Sequence, residues 1–362
     1  MKSNIFCKFA HAKVCTVNCF GPDDIKKFLL LVDNAHRITV LGHTHPDGDA
    51  LGCTSGLLSW LTALKGKDAV AVFPDTPADT VRFIIPETLR FICHDTDPGR
   101  ALGRIAESDL IILEDCNSFS RTEALETPLR ASGARKILID HHLNPDRDAF
   151  DLVFSTPEVS SASELVFQIL METPETGHDP ARLPREGAEA LLAGMTTDTN
   201  NFANSVFPST FRMASDLLAA GIDRDAILAR IYNNYRENRI RMMGYMQSEN
   251  LRITPEGAAL MVATRDILQR FDIREGETEG LVNVPLAIRG VRLSIFLKED
   301  DGHFRVSVRS RTGTSAREYA IRYCNGGGHE NAAGGKLHLG KEVQPGEDPF
   351  TYLERTTREF LS

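Results

Sequence analysis

Histidines and aspartates of this 362-residue chain stand directly after short apolar runs, in positions suited to binding metal ions. Six of them are candidate ligands: His43, Asp47, Asp49, Asp115, His141 and Asp198. Carboxylates and imidazoles without thiolates favour Mn²⁺ or Mg²⁺ over zinc. Four acids and two histidines exceed the needs of one ion, but they suit two ions about 3.5–4 Å apart. The predicted chemistry is phosphoester hydrolysis by a metal-bridging hydroxide.

Each motif also has an ordinary structural explanation when it is considered alone. The stretch from His43 to Asp49 could be a helix N-cap followed by acids that favour the helix dipole. A single aspartate such as Asp115 or Asp198 is common in loops. The charged triplet 140–142 is harder to explain by packing. All these explanations would have to hold together, so the combination favours function.

The elements that would position these residues are short apolar strands alternating with helices. Continuous apolar runs suit parallel strands covered on both faces, and the alternation predicts an α/β, doubly wound, mainly parallel sheet. In such sheets ligands bind beyond the carboxyl ends of the strands, where three of the motifs fall. The predicted strands cover 38–42, 69–73, 110–113 and 136–139, and the predicted helices cover 50–65, 158–172, 185–194 and 209–220.

The chain is long enough for two domains. Its second half contains the strand-like runs 258–263, 291–297 and 304–308, which predict a smaller α/β domain. A polar-apolar stretch with roughly helical spacing predicts a helix that joins the domains. The predicted divisions are an N-terminal extension (1–22), a catalytic domain (23–222), a helical linker (223–251) and a substrate-binding domain (252–362).

A glycine-rich turn near the end of the chain predicts a phosphate clamp. Glycines let the backbone approach a phosphate, and consecutive amides form an anion-binding nest. An arginine presents a planar fork to phosphate oxygens, but the sequence does not choose between the two arginines here. The candidate substrate-binding residues are Arg309, Ser310, Arg311, Gly326, Gly327, Gly328 and His329.

The composition limits the partners. The net charge is −9, which disfavours binding to long duplex nucleic acid but allows a locally basic pocket. No apolar run is long enough to span a bilayer, and the first twenty residues lack the core of a signal peptide. The seven cysteines include no C-x-x-C pair, so reduced cysteines in a cytoplasmic protein are expected. The long linker is compatible with a homodimer.

Five motifs, taken in order, resemble those of the DHH phosphoesterase superfamily. Four of them resemble its catalytic motifs, and the last is similar to the signature of the DHH-associated C-terminal domain. The matching segments are His43–Gly52, Glu114–Asn117, Asp140–His142, Thr197–Phe202 and Gly326–Gly334. The resemblance spans about residues 23 to 340.

This resemblance implies a role for each matching residue. One Mn²⁺ would be held by His43, Asp47 and Asp115, and the other by Asp49, Asp115, His141 and Asp198. Mg²⁺ and Co²⁺ stay open as alternatives. Asp140 would orient an imidazole, and His142 would face the scissile phosphate as an electrostatic partner or proton donor. The resemblance also assigns Arg309, the glycines and His329 to the far phosphate of the substrate.

Within the superfamily, the chain looks like the stand-alone bifunctional oligoribonucleases, or nanoRNases, that also act on 3′-phosphoadenosine 5′-phosphate. RecJ-type exonucleases are longer, family II pyrophosphatases lack the glycine signature, and membrane-bound phosphodiesterases carry additional segments. The implied substrates are short RNA oligonucleotides and small nucleotides. Two alternatives stay open: a soluble phosphodiesterase for cyclic di-AMP or linear diadenylate, and a nucleotide-binding sensor without turnover.

Overall fold

The fold is taken from a computed structural model that describes residues 20–344 and 346–362. The predicted N-terminal extension therefore lies almost entirely outside the described residues. Two six-stranded sheets organise the described chain, one on each side of a helical linker. None of the helices in the described ranges is long and apolar enough to cross a membrane.

The first sheet is entirely parallel, which confirms the predicted α/β class. Its spatial order is β3-β2-β1-β4-β5-β6, so the order reverses between β1 and β4. A crevice opens at the carboxyl ends of the strands at such a reversal. The strands are β1 Arg37–Leu41, β2 Asp68–Phe73, β3 Phe91–Cys93, β4 Leu110–Glu114, β5 Arg135–Asp140 and β6 Leu152–Ser155.

Helices cover both faces of this sheet. Val40 and Ile112 belong to one buried cluster, and their strand neighbours Leu41 and Ile111 belong to the cluster on the opposite face. This two-sided burial explains why the strands are continuously apolar. The helices of this half are α1 Pro22–Asn34, α2 Gly48–Ala63, α3 Asp79–Arg82, α4 Pro98–Glu107, α5 Glu126–Ala131, α6 Ala162–Met171, α7 Arg185–Asp198 and α8 Pro208–Ala219. Short 3₁₀ segments lie at Phe119–Leu125, Arg147–Ala149 and Pro180–Arg182.

Helices α2 and α7 approach each other closely because glycines line their contact. A Cβ atom on Gly52 would lie 2.7 Å from the carbonyl oxygen of Ala190 and from the Cα of Gly194. A Cβ on Gly48 would lie 2.3 Å from the Oγ1 of Thr197. This contact places the first turn of α2 beside the last turn of α7.

The linker is not one helix, and that prediction was wrong. It consists of α9 Arg224–Tyr232 and α10 Glu237–Tyr245, followed by a π-helical turn over Met246–Asn250. The break contains Asn233 and Asn234, whose side chains compete with the helical backbone for hydrogen bonds. The backbone is extended at Arg236, the N-cap of α10, where ψ is 147°.

The second sheet is mixed. Strands β8 and β9 pair in parallel, and the other neighbours pair antiparallel. The order is β11-β12-β10-β9-β8-β7. The strands are β7 Arg252–Ile253, β8 Ala258–Ala263, β9 Leu293–Asp300, β10 His303–Ser310, β11 Gly327–Gly328 and β12 Ala332–His338, and the helices are α11 Arg265–Arg270, α12 Ala316–Tyr323 and α13 Pro349–Leu361, with a 3₁₀ segment at Leu281–Ala287. Tyr319 and Leu337 lie in this domain's own buried core.

Candidate active site

The loop after β1 supplies two acids at the beginning of α2. Asp47 is the N-cap of this helix, and its Oδ1 accepts hydrogen bonds from the amides of Asp49 and Ala50 at 3.0 and 3.1 Å. Asp47 is therefore a helix N-cap, as the structural explanation of this motif predicts, and it caps the helix through Oδ1. The second oxygen of Asp47 is not used in the cap, so the same side chain can also bind a cation.

Asp49 is held at the beginning of another helix. It is 1% exposed, and its two carboxylate oxygens accept hydrogen bonds from the amides of Ala162 and Ser163 at 2.6 and 2.9 Å. These amides belong to the first turn of α6. The α2–α7 contact also brings Asp198, the last residue of α7, to the same place.

His43 is oriented by the backbone. Its Nδ1 lies 2.7 Å from the carbonyl oxygen of Thr44, which can only accept, so Nδ1 carries the proton. Nε2 therefore presents a lone pair, 3.8 Å from Asp47 Oδ1 and 3.5 Å from Asp115 Oδ2. Metal-bound histidines commonly have this arrangement, with the other ring nitrogen bonded to a carbonyl.

Asp115 stands between His43 and His141. Its backbone φ is 51°, a left-handed conformation that aspartate tolerates. The amide of Asp115 donates to the carbonyl oxygen of Ile139 at 3.0 Å, which joins the ends of β4 and β5. Oδ2 faces His43, whereas Oδ1 lies 3.3 Å from His141 Nε2. Although Asp115 is 2% exposed, its Oδ1 has no hydrogen-bond partner among the described residues, as expected of an atom suited to a metal.

The six predicted ligands form two groups of donor atoms. Within each group the atoms lie within 4.8 Å of one another, and Asp115 connects the groups. The distances between the donors exceed those of good hydrogen bonds, whereas a cation placed among them would satisfy the clustered carboxylates. These residues therefore fit divalent metal ions. The groups are His43, Asp47 and Asp115, and Asp49, His141 and Asp198.

Crowding of charge changes the pKa values of these groups. Burial disfavours ionisation of Asp115, but contacts with His141 and His43 hold its pKa well below the usual range. Burial opposes the charged imidazole of His141, yet its contact with Asp115 and the nearby Asp198 and Asp49 raise its pKa to about 10. Burial raises the pKa of Asp198 to about 7, aided by Asp115 and Asp47. These shifts make protons competitors of a metal ion at His141 and Asp198.

The remaining residues of the triplet 140–142 act as a pair. Asp140 is fully buried, and its Oδ1 lies 2.8 Å from Nδ1 of His142. This contact fixes the plane of the imidazole at the edge of the cleft. The ring of His142 stacks on the ring of His329 from the second domain, with centroids 4.8 Å apart and planes 26° apart. The two domains therefore meet directly over the site.

The second domain supplies the opposite wall of a cleft of about 320 Å³. Burial lowers the pKa of Arg309, while Asp198 and Glu279 counteract that shift. Burial and the nearby His142 and His141 lower the pKa of His329 to about 4. Four of the predicted substrate-binding residues line the cleft: Arg309, Gly327, Gly328 and His329.

Three predicted substrate-binding residues are placed elsewhere. Ser310 donates its hydroxyl to the carbonyl oxygen of Thr314 at 2.6 Å. Arg311 is turned away, and its Nε donates to the carbonyl oxygen of Leu286 at 3.1 Å. A Cβ on Gly326 would lie 1.9 Å from the carbonyl oxygen of Gly334, so this glycine permits close packing of the turn. These three residues do not line the cleft in the described part of the chain, and their role as substrate contacts stays a prediction.

Two residues of the site were not predicted. Arg121 lines the cleft, and its Nη1 lies 3.1 Å from Nε2 of His142. Glu114 is fully buried beside Asp115, and burial raises its pKa well above the usual range. Neither of its carboxyl oxygens has a hydrogen-bond partner in the part of the chain that the structure describes. A glutamate that ends a continuous apolar strand was a usable signal, but an arginine within a polar segment was not.

Comparison with known proteins identifies both domains. Residues 37–195 match the model of the DHH family N-terminal domain, and residues 258–345 match that of the DHHA1 domain. The chain is 31% identical to a Streptococcus mutans protein described as a probable bifunctional oligoribonuclease and PAP phosphatase NrnA, over 85% of this chain and 92% of that protein. It is 29% identical to the Bacillus subtilis bifunctional oligoribonuclease and PAP phosphatase NrnA, over 84% and 91% of the two chains.

A solved structure agrees with these relatives. The crystal structure of an exopolyphosphatase-related protein from Bacteroides fragilis superposes with a TM-score of 0.86 at 33% identity, covering 94% of this chain and 97% of that one. The match extends over both domains. The chain belongs to the DHH family of phosphoesterases and is a hydrolase that acts on phosphoester bonds.

Proposed function

We propose that the chain hydrolyses short oligoribonucleotides, 3′-phosphoadenosine 5′-phosphate, or both, with two Mn²⁺ ions as cofactors. The observation that carries the proposal is the division of Asp115 between the two ligand groups, one oxygen facing His43 and the other facing His141. A carboxylate in this position can bridge two cations. The substrates are those named in the descriptions of the Streptococcus and Bacillus relatives.

The proposed ligand sets share Asp115. The first set is His43, Asp47 and Asp115, and the second is Asp49, Asp115, His141 and Asp198. When bound, two divalent ions activate water and offset the negative charge of a phosphoryl group. The oxygen-rich donor set supports Mn²⁺ over zinc.

The residues around the ligands orient the substrate. Asp140 accepts a hydrogen bond from His142 and holds the imidazole at the edge of the cleft, beside the proposed position of the scissile phosphate. Arg309 brings a guanidinium from the opposite wall, and Gly327 and Gly328 bring backbone atoms that no side chain covers. A phosphate at some distance from the metal ligands would lie between these groups.

The cleft supports a short substrate. Its volume of about 320 Å³ is at the lower end of ligand pockets, and the second domain forms its far wall. The overall charge of −9 disfavours extended contact with a long polyanion. Distance between the metal ligands and Arg309 would then select substrates by length.

A substrate panel tests this function. The protein is stripped of metal, reloaded with Mn²⁺, and assayed with 3′-phosphoadenosine 5′-phosphate, RNA of two to five nucleotides, linear diadenylate, cyclic di-AMP and pyrophosphate. We expect the highest kcat/KM with the first two. Activity on pyrophosphate alone would contradict the proposed clamp, and activity on cyclic di-AMP alone would establish the alternative phosphodiesterase. Reloading with Mg²⁺, Co²⁺ or Zn²⁺ tests the choice of metal.

We also propose that the protein works in the cytoplasm. Four cysteines in the described ranges, Cys53, Cys93, Cys116 and Cys324, are buried and free, as expected in a reducing compartment. The homodimer expected from the linker stays a prediction, which light scattering of the purified protein would test.

A further inference from the structure

The segment 117–125 is anchored on both sides of the active site. The carbonyl oxygen of Arg121 accepts a hydrogen bond from the amide of Thr44 at 2.8 Å, beside the metal-binding loop after β1. The side chain of Asn117 donates to the carbonyl oxygen of Leu143 at 2.9 Å, directly after the triplet 140–142. The position of Arg121 is thus set by the same loops that position the metal ligands.

Arg121 constrains His142. A guanidinium can only donate, so Nε2 of His142 accepts from Arg121 Nη1 across 3.1 Å. Nδ1 of the same ring then carries the proton and donates to Asp140 Oδ1 at 2.8 Å. Both ring nitrogens are occupied, so the imidazole has one favoured orientation.

The charge of Arg121 is not balanced by a direct carboxylate contact. Within the described residues no carboxylate oxygen lies within 4.0 Å of its guanidinium nitrogens, and its side chain makes one hydrogen bond, to His142. Arg130, which follows nearby in the chain, shows the usual arrangement, with ion pairs to Glu126 at 2.9 Å and Asp146 at 3.2 Å. The remaining N–H groups of Arg121 are therefore available in a cleft whose proposed ligand is an anion.

Arg309 is in the same situation on the opposite wall. In the part of the chain that the structure describes, its guanidinium makes contacts of 3.0 and 3.5 Å to the carbonyl oxygens of Val308 and Ala333 and no ion pair within 4.0 Å. Arg121 and Arg309 both line the cleft, one from each domain. Two guanidinium groups on opposite walls, both without a carboxylate partner among residues 20–344 and 346–362, are suited to a phosphorylated substrate that spans the cleft.

We propose that Arg121 binds a phosphate group of the substrate from the N-terminal wall while it holds His142 in place. The Nη1 atom stays with His142, and the other N–H groups of the fork bind non-bridging phosphate oxygens. The proposal rests on the proposed phosphoesterase function and adds a substrate-binding residue to it. Arg309 binds from the other wall, so the two arginines act on one ligand.

The test compares Arg121→Gln and Arg121→Lys with a matched control, Arg130→Gln. Arg130 lies in the next helix, outside the residues that line the cleft. Binding of 3′-phosphoadenosine 5′-phosphate is measured by calorimetry with the metals removed by EDTA, so that no turnover occurs. We expect Arg121→Gln to weaken binding about tenfold or more, Arg121→Lys to recover part of that loss, and Arg130→Gln to bind like the wild type.

Kinetics of the Mn²⁺-loaded enzymes provide the second measurement. Arg121→Gln should raise KM and also lower kcat, because His142 loses its support. Arg121→Lys should recover KM more than kcat, since its single ammonium cannot serve both partners. Unchanged ligand binding and unchanged KM in Arg121→Gln, with melting temperature preserved, would overturn the proposal.

A general phosphodiester, bis(p-nitrophenyl) phosphate, and inorganic phosphate separate this proposal from the proposed function. If the wild type cleaves neither short RNA nor 3′-phosphoadenosine 5′-phosphate, the substrate assignment has failed. A tenfold loss of inorganic phosphate binding, or of turnover of the phosphodiester, in Arg121→Gln would still support Arg121 as a phosphate ligand. No loss in either assay would overturn it.

Discussion

The two walls of the cleft are built in opposite ways. The N-terminal wall consists of charged side chains that hydrogen bonds hold rigidly. Asp47 caps α2, Asp49 accepts hydrogen bonds from backbone amides of α6, and His43 donates to a backbone carbonyl oxygen. The C-terminal wall consists largely of glycine backbone with one arginine and one histidine. Buried charges with fixed neighbours suit small cations, whereas uncovered backbone and a guanidinium suit phosphate oxygens.

This difference predicts that metal binding and substrate binding depend on different residues. Changes in the metal ligands of the first wall should alter metal content and kcat. Changes in the phosphate-binding groups, which are Arg121 of the first wall and the residues of the second wall, should alter KM while leaving metal content intact. The comparison fails if a variant of a metal ligand produces the effects assigned to the phosphate-binding groups, or the reverse. His142 and His329 stack across the boundary, so they are the place where the two effects should mix.

Replacing Asp115 with asparagine should have the largest effect. The amide keeps the shape but loses the charge that faces both histidines, so both metal ions should bind more weakly. We expect a loss of about 10³-fold or more in kcat/KM. Turnover and metal content by mass spectrometry measure the change. Asp146→Asn is the control, because Asp146 pairs with Arg130 outside the cleft lining; a variant at Asp115 with two tightly bound metals would contradict the bridging role.

Replacing Arg309 with glutamine should weaken substrate binding without affecting metal binding. We expect KM to rise about 10- to 100-fold, which corresponds to the loss of a hydrogen bond to a charged group, with metal content unchanged. Arg311→Gln is a close control, because Arg311 is two residues away and donates to Leu286. Equal effects of the two variants on KM would show that the structure does not distinguish these arginines as proposed.

Proton competition should make metal affinity depend on pH. A metal needs the free lone pair of His141, whose pKa is raised to about 10 by Asp115 and its neighbours against the opposing effect of burial. Below that pH each metal bound there must displace a proton, so affinity should rise about tenfold per pH unit. Below about pH 7 the slope should steepen, because the pKa of Asp198 is also raised to about 7 by burial.

Calorimetric titration with Mn²⁺ at pH 6, 7 and 8, in buffers of different ionisation enthalpy, measures the protons released. The variant His178→Gln should keep the slope, because this exposed histidine pairs with Glu172 on the surface. A pH-independent affinity would show that His141 does not compete for protons and metal in this way.

The sequence predicted the N-terminal wall better than the C-terminal wall, for a physical reason. Residues such as Asp115 and His141 directly follow predicted strands, and parallel topology brings strand ends together without further information. The choice between Arg309 and Arg311 depends on where β10 ends. Residues two apart share a face of a strand, but β10 ends at Ser310, so Arg311 turns to another partner.

Three other features could not be predicted from local sequence patterns: strand β3, the break in the linker and the position of Arg121. Strand β3, Phe91–Cys93, has three residues, too few for a period to be recognised. The linker break depends on two asparagines within an otherwise helical pattern. Arg121 reaches the cleft through the 3₁₀ segment Phe119–Leu125, which includes a left-handed residue, Glu123, with φ of 46°. Such a path depends on tertiary contacts, and no spacing rule predicts it.

The smallest predicted effect concerns the packing that supports the first wall. Alanine at Gly52 would place a Cβ 2.7 Å from backbone atoms of α7, so α2 and α7 would have to separate. We expect destabilisation of about 1–3 kcal/mol and weaker metal binding, because Asp49 and Asp198 lie on these two helices. Gly103→Ala is the matched control: Gly103 is exposed in α4, and a Cβ there would meet no described atom within 4 Å, so about 0.4–1 kcal/mol of stabilisation is expected. Chemical denaturation measures both changes.

Gly52→Ala should also separate the properties of the two walls. It should lower metal affinity while leaving metal-free binding of the nucleotide within about twofold of the wild type. An equal loss of metal affinity and nucleotide binding would mean that the walls are not independent.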